Sequence, residues 1–68
     1  MKKKIYRITV EKEFIHMLLK ELKMWQVKES HYRVDGNCII TSDTNVVDVA
    51  IETFIKCPNA IDIQCKER

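Results

Sequence analysis

Several features that mark secreted, membrane and metal-binding proteins are missing from this 68-residue chain. No apolar run is long enough to span a bilayer, and the opening Met-Lys-Lys-Lys is not followed by the apolar segment of a signal peptide. The three cysteines are odd in number and form no C-x-x-C motif, so neither a disulfide framework nor a zinc site is predicted. We therefore expect a reduced, cytoplasmic protein with no membrane segment, metal or cofactor.

The chain is short enough that residues 1–68 are predicted to form a single domain. Hydrophobic residues make up 46% of it, which suffices for one thin core and argues against disorder. Charged residues reach 32%, but the net charge of +2 does not by itself indicate nucleic acid or membrane binding. A domain of this size buries only about 60% of its unfolded surface, so association with a second copy would add stability.

The single glycine is the strongest local signal in the sequence. Asp35-Gly36 stands between two β-prone runs and predicts a hairpin with a type I′ turn. A loop at Gly36-Asn37 is the alternative, and either choice leaves Val34 and Ile39 on one face. Apolar spacing on either side predicts alternating helices and strands, and Asn45 is expected to cap the second helix. The predicted strands cover residues 3–10, 26–34, 38–41 and 60–65, and the predicted helices cover 11–24 and 45–57. The polar first half of the second strand is either edge strand or part of a loop.

This βαββαβ order predicts an α+β fold, a ferredoxin-like two-layer sandwich. Its antiparallel sheet has strand order 4-1-3-2, with both helices on one face. In length and element order the chain resembles ACT-type regulatory domains and heavy-metal-associated domains, and in size it is similar to small phage-borne inhibitors. The first junction, Val10-Glu11-Lys12-Glu13, contains neither the C-x-x-C of heavy-metal-associated domains nor the glycine usual in ACT domains. No functional residue is transferred from either family.

Alternation along the strands predicts which side chains face the helices. Tyr6, Tyr32 and Val34 are expected in the core, and Trp25, Cys57 and Cys65 are also expected to be buried. The opposite face of the sheet is left open, with apolar residues in its middle and cationic residues around them. The predicted members of this open face are Ile5, Arg7, Thr9, His31, Arg33, Cys38, Ile40, Asp62 and Gln64.

Mixed apolar and arginine-containing surfaces are typical of protein interfaces. The leading hypothesis is a small non-enzymatic protein-binding domain, a regulator or phage-type inhibitor, that forms a homodimer through the open face or an edge strand. A His31–Cys38 pair without a third orienting group does not predict catalysis. The proposed partner-binding residues are Ile5, Arg7, His31, Arg33, Cys38 and Ile40.

Two alternatives remain open at this point. A nucleic-acid-binding module would use the basic residues Lys2, Lys3, Lys4, Arg7 and Arg33. The placement of both tyrosines on the helix-facing side counts against an RNA-stacking surface. An ACT-like domain that binds a small regulatory ligand is the third hypothesis.

Overall fold

The computed structural model describes residues 4–67 and contains four strands and two α-helices. The predicted start of the first strand at Lys3 lies outside the described residues. Short 3₁₀ turns at Lys12–Phe14, Glu29–His31 and Pro58–Ala60 precede α1, β2 and β4. The elements are β1 (Lys4–Val10), α1 (Ile15–Met24), β2 (Tyr32–Asp35), β3 (Cys38–Thr41), α2 (Thr44–Thr53) and β4 (Ile61–Glu67).

The four strands form one antiparallel sheet in the order β2-β3-β1-β4. Read from the opposite edge, this is the predicted order 4-1-3-2, and the α+β class is confirmed. The strands β1 and β3 are central, and their apolar content is higher than that of the edge strand β2. The edges of the sheet are therefore formed by β2 and β4.

Both helices pack on the same face of the sheet. Ile8 pairs with Ile39 in the β1–β3 ladder, and both side chains are fully buried. They belong to one core cluster with the buried residues of both helices, so no helix within residues 4–67 covers the opposite sheet face. The helix residues in this cluster are Ile15, Leu18, Leu22, Val46, Val49 and Ala50.

The hairpin turn differs from the prediction in its type. Asp35 pairs with Cys38, so the loop residues are Gly36 and Asn37. Gly36 has a φ of 60°, whereas Asn37 is not among the residues with positive φ. Positive φ at only the first loop position is the arrangement of a type II′ turn, not of type I′. Val34 pairs with Ile39, so the predicted sharing of one face by these residues is confirmed. Val34 is nevertheless 44% exposed, so the prediction that it lies in the core is wrong.

The end of α1 contains a second residue with positive φ. Gln26 has a φ of 59°, and its N–H donates to the carbonyl of Lys23 at 3.0 Å. The N–H of Val27 donates to the carbonyl of Leu22, also at 3.0 Å. These two bonds form a Schellman motif with glutamine at the position that glycine usually occupies. The reversal leaves Trp25 63% exposed, so the prediction that this tryptophan is buried is wrong.

Two further sequence predictions are corrected by element boundaries. The predicted strand over residues 26–34 is a loop and 3₁₀ turn until Tyr32. The cap of α2 is Asp43, whose carboxylate accepts a hydrogen bond from the N–H of Asn45 at 2.9 Å.

The cysteines also depart from the prediction. Cys57 follows the end of α2 and is exposed. Cys65 lies on the helix-facing side of the sheet and pairs with Tyr6, two residues further along β4 than the Ile8–Ile63 pair. It is exposed as well. Only Cys38 is buried, and all three thiols are free.

Candidate functional site

The strand register arranges the open face in two complete rows across the sheet. One row is Arg33, Ile40, Arg7 and Gln64, and the next is Asp35, Cys38, Thr9 and Asp62. Ile5 follows as the partner of Lys66. Two arginines in one row are thus adjacent to two aspartates in the next. The face brings together eight of the nine predicted members, the exception being His31, with Asp35 and Lys66 as additional charges.

Cys38 lies at the centre of the open face but is not available on it. Its side chain is only 7% exposed, because Thr9 and Arg7 cover it. Arg7 Nη2 donates to Cys38 Sγ at 3.7 Å, and Thr9 Oγ1 lies 3.5 Å from the same sulfur. The Thr9 hydrogen bond, followed by that of Arg7, lowers the pKa of the Cys38 thiol below its ordinary value. Cys38 is therefore a covered part of the sheet, and the expected apolar centre of the face is smaller than predicted.

His31 does not lie on the open face as a strand residue. It ends the 3₁₀ turn before β2, and its Nδ1 lies 3.0 Å from Oδ2 of Asp43. Asp43 precedes α2, so this contact joins the start of β2 to the start of the second helix. Cys38 lies at the opposite, hairpin end of β3. The structure therefore keeps His31 and Cys38 apart.

The basic residues of the nucleic-acid hypothesis are distributed over different surfaces. Lys2 and Lys3 lie outside the described residues. Lys4 pairs with Glu67 and has the strand parity of the helix-facing side, whereas Arg7 and Arg33 lie on the open face. The described residues thus bring Arg7 and Arg33 together across Ile40, but not Lys4 with them.

The two edges of the sheet differ in length and in available backbone groups. β2 has four residues, and the N–H of Tyr32 already donates to the carbonyl of Glu29. β4 has seven residues, with neither proline nor glycine. Edge strands of soluble proteins are usually short, bulged, or blocked by proline or charge. β4 contains Lys66 and Glu67 at one end, but Ile61–Cys65 forms a longer and more regular edge than β2.

Hydrogen-bond alternation identifies the free groups of β4. The N–H of Glu11 donates to the carbonyl of Ala60 at 3.4 Å, which continues the β1–β4 ladder. In an antiparallel pair, hydrogen-bonded and non-hydrogen-bonded residues alternate. Asp62, Gln64 and Lys66 therefore bond to β1. Ile61, Ile63 and Cys65 point their N–H and C=O groups away from the sheet.

An apolar groove lies beside this free edge. It has a volume of about 360 Å³ and lies between α2, the segment that follows it, and β4. Ile51 in α2 and Ile55 just after it are 46% and 62% exposed. The apolar spacing places Ile51 in the buried stripe of the second helix, but it is exposed, whereas Val49, outside that stripe, is buried. The groove is lined by Ile51, Phe54, Ile55, Pro58, Ile61, Asp62 and Ile63.

A second cavity of about 430 Å³ lies at the other end of the helix layer. It is lined by the exposed Trp25, by the His31–Asp43 pair and by Asp48 and Glu52 of α2. Among residues 4–67, no buried side-chain nitrogen or oxygen lacks a hydrogen-bond partner. The described lining of the cavity therefore contains no buried side-chain polar atom left without a hydrogen bond.

Sequence reasoning identified the open face but missed the surface formed by β4 and α2. We call this surface, made of Ile51, Ile55, Ile61, Ile63 and Cys65, the β4 edge surface. Its signal in the sequence is the regular alternation of Ile61-Asp62-Ile63-Gln64-Cys65 without a glycine or proline. The predicted strand order already placed this strand at an edge of the sheet. What the sequence did not reveal is that exposed isoleucines lie beside it.

Comparison of the chain with models of protein families, with curated proteins and with solved structures gave no match. Within residues 4–67, neither helix has the length and apolarity needed to cross a membrane. The same residues contain no group of three or more His, Cys, Asp or Glu side chains arranged to hold a metal ion.

Proposed function

We propose that this chain is a small non-enzymatic protein-binding domain that self-associates through the β4 edge surface. The observation that carries the proposal is an unpaired strand edge with exposed isoleucines directly beside it. A strand added to β4 would satisfy the outward N–H and C=O groups of Ile61, Ile63 and Cys65. The same addition would cover Ile51 and Ile55, which otherwise remain in water. The element order and sheet order also support a ferredoxin-like fold, and the free thiols support a reducing, cytoplasmic location.

The open face supports self-association less well than the edge does. Ile5 and Ile40 are only partly exposed there, and Cys38 is covered. Among residues 4–67, the large apolar side chains with high exposure lie on helices, on loops or at Val34, and none lies on the open face. The adjacent arginines and aspartates on this face also weaken the case for nucleic-acid binding, because the aspartates would repel phosphates.

Equilibrium sedimentation over a wide concentration range tests the proposal. The wild-type protein should form a dimer, and Ile55→Asp should shift it to monomer, because two charges would be buried at the contact. Ile55 is 62% exposed, so the substitution should leave the monomer folded.

Met24→Asp is the matched control, since Met24 is 66% exposed on α1 and does not line the groove. It should leave the dimer intact. Ile40→Asp tests the open face in the same way. A wild-type monomer at the highest concentration, or a dimer disrupted by Ile40→Asp and not by Ile55→Asp, would refute the assignment to the β4 edge surface.

A further inference from the structure

The residues of β4 also determine how a second copy would pair with it. Ile61, Ile63 and Cys65 have the parity that directs backbone groups outward, so a second β4 must align positions of this parity with one another. An antiparallel pair of identical strands is related by a two-fold axis. Outward-facing positions align with one another only if the residue at this axis faces the same residue of the second copy. The question is which residue lies at the centre.

One candidate register is centred on Gln64, the middle residue of Ile61–Glu67. The alternatives centre the pairing on a neighbouring residue of the strand.

The charges of β4 favour the register centred on Gln64. Centring on Gln64 places Asp62 opposite Lys66 of the second copy, and by symmetry this pair occurs twice. Both side chains are exposed and both lie on the open-face side. Asp62 and Lys66 would occupy a non-hydrogen-bonded pair, in which facing side chains are closest. Centring on Ile63 or Cys65 would instead place Gln64 opposite Asp62 or Lys66, and centring on either charged residue would oppose like charges.

We propose that two copies join by antiparallel β4–β4 pairing centred on Gln64, forming a continuous eight-stranded sheet held in register by reciprocal Asp62–Lys66 pairs. This inference rests on the proposed self-association and adds its geometry. The two-fold axis is perpendicular to the sheet, so both pairs of helices lie on the same side of it. The two grooves lined by Ile51 and Ile55 then face each other across the axis, and each covers the apolar residues of the other.

Disulfide trapping tests the register. In this pairing Ile63 faces Cys65 of the second copy in a hydrogen-bonded pair, whose Cα separation of about 5.5 Å suits a disulfide. The background is Cys57→Ser, which removes the other exposed thiol. In that background, Ile63→Cys should give a covalent dimer on a non-reducing gel after incubation with oxidised glutathione.

Two controls identify the alternative registers. Cys57→Ser alone should remain uncrosslinked, because Cys65 faces Cys65 of the second copy only if the axis passes beside that residue. Ile63→Cys combined with Cys65→Ser should also remain uncrosslinked, because position 63 faces itself only in the register centred there. Crosslinking in either control, or none in the test variant although sedimentation shows a dimer, would overturn the register and leave self-association standing. A wild-type monomer would instead remove the proposed function itself.

A charge exchange tests the same register without altering the partly buried Ile63. Asp62→Lys and Lys66→Asp each replace two attractive pairs with two repulsive ones, and each should weaken dimerisation about tenfold. The combined exchange restores opposite charges at both places and should return the dissociation constant to within about threefold of the wild-type value. If the effects of the two substitutions simply add, Asp62 and Lys66 do not face each other and the register is wrong.

Discussion

Removal of the Thr41 hydroxyl should lower the free energy of unfolding by about 2–3 kcal/mol. Thr41 is the only buried polar side chain among residues 4–67, with an exposure of 4%. Its Oγ1 donates to the carbonyl of His31 at 2.5 Å and accepts from the N–H of Asp43 at 3.0 Å. One hydroxyl thus joins the turn before β2 to the start of α2. Thr41→Val keeps the shape of the side chain but removes both bonds.

The magnitude follows from the two groups that lose their partner. A buried polar group left unsatisfied costs about 1–3 kcal/mol. Both backbone groups here are only partly buried, so about 1–1.5 kcal/mol each is appropriate. Thr41→Ser is the control, because it keeps the hydroxyl and loses one methyl group, at about 1 kcal/mol. The free energy of unfolding of a domain of this length is about 3–10 kcal/mol, so the valine variant loses a large fraction of its stability.

Urea denaturation followed by far-ultraviolet circular dichroism measures both variants. Trp25 is too exposed for its fluorescence to report on the core. Protein concentration must be equal in all samples, because dimerisation stabilises the folded state by mass action. The reasoning is refuted if Thr41→Val is as stable as Thr41→Ser, or if it lies within about 0.5 kcal/mol of the wild-type protein.

Three further predictions concern capping, backbone conformation and pH. Asp43→Ala should lower the free energy of unfolding, measured by urea denaturation, by about 1–2 kcal/mol because the α2 cap is lost. Asp43→Asn should lower it by less than half of that amount. Gln26→Gly should increase the free energy of unfolding by about 0.5–1 kcal/mol and so raise the midpoint of thermal unfolding, because glycine adopts positive φ without strain. Gln26→Ala should give no such increase. Folding lowers the pKa of the Cys38 thiol below 9.0, so the folded state binds fewer protons between that lowered pKa and 9.0. The free energy of unfolding of the wild-type protein should therefore rise relative to that of Cys38→Ala as the pH increases through this window. Urea titrations at pH values below and above the window measure this difference. A difference that stays constant with pH would contradict the lowered pKa of Cys38.

The sheet order and the composition of the open face were predictable from the sequence because they depend on period-two alternation and on one hairpin. Gly36 fixes where the chain reverses, and the shared face of Val34 and Ile39 is the same for either choice of loop residues. The turn type was not predictable, because Asp35-Gly36 and Gly36-Asn37 are both favoured hairpin dipeptides.

Burial at the margins of the core was harder to predict. Ile51 and Val49 are both apolar but lie two positions apart, on nearly opposite sides of α2, and only packing against the sheet decides which of them is buried. Trp25 has the spacing of the buried stripe of α1, but the Schellman reversal at Gln26 ends the helix there. Neither outcome follows from periodicity, because both depend on tertiary contacts.

The segment before β2, for which the sequence allowed either edge strand or loop, determines how long the β2 edge of the sheet is. If residues 26–34 formed a strand, β2 would be the longest strand in the sheet, and its edge would compete with β4 for a partner. Instead the 3₁₀ turn at Glu29–His31 shortens β2 to four residues and takes up the N–H of Tyr32. Thr41 holds that turn through the carbonyl of His31. The contacts that remove His31 from the open face therefore also shorten the β2 edge and take up one of its N–H groups, and β4 is left as the longer edge, with exposed isoleucines beside it.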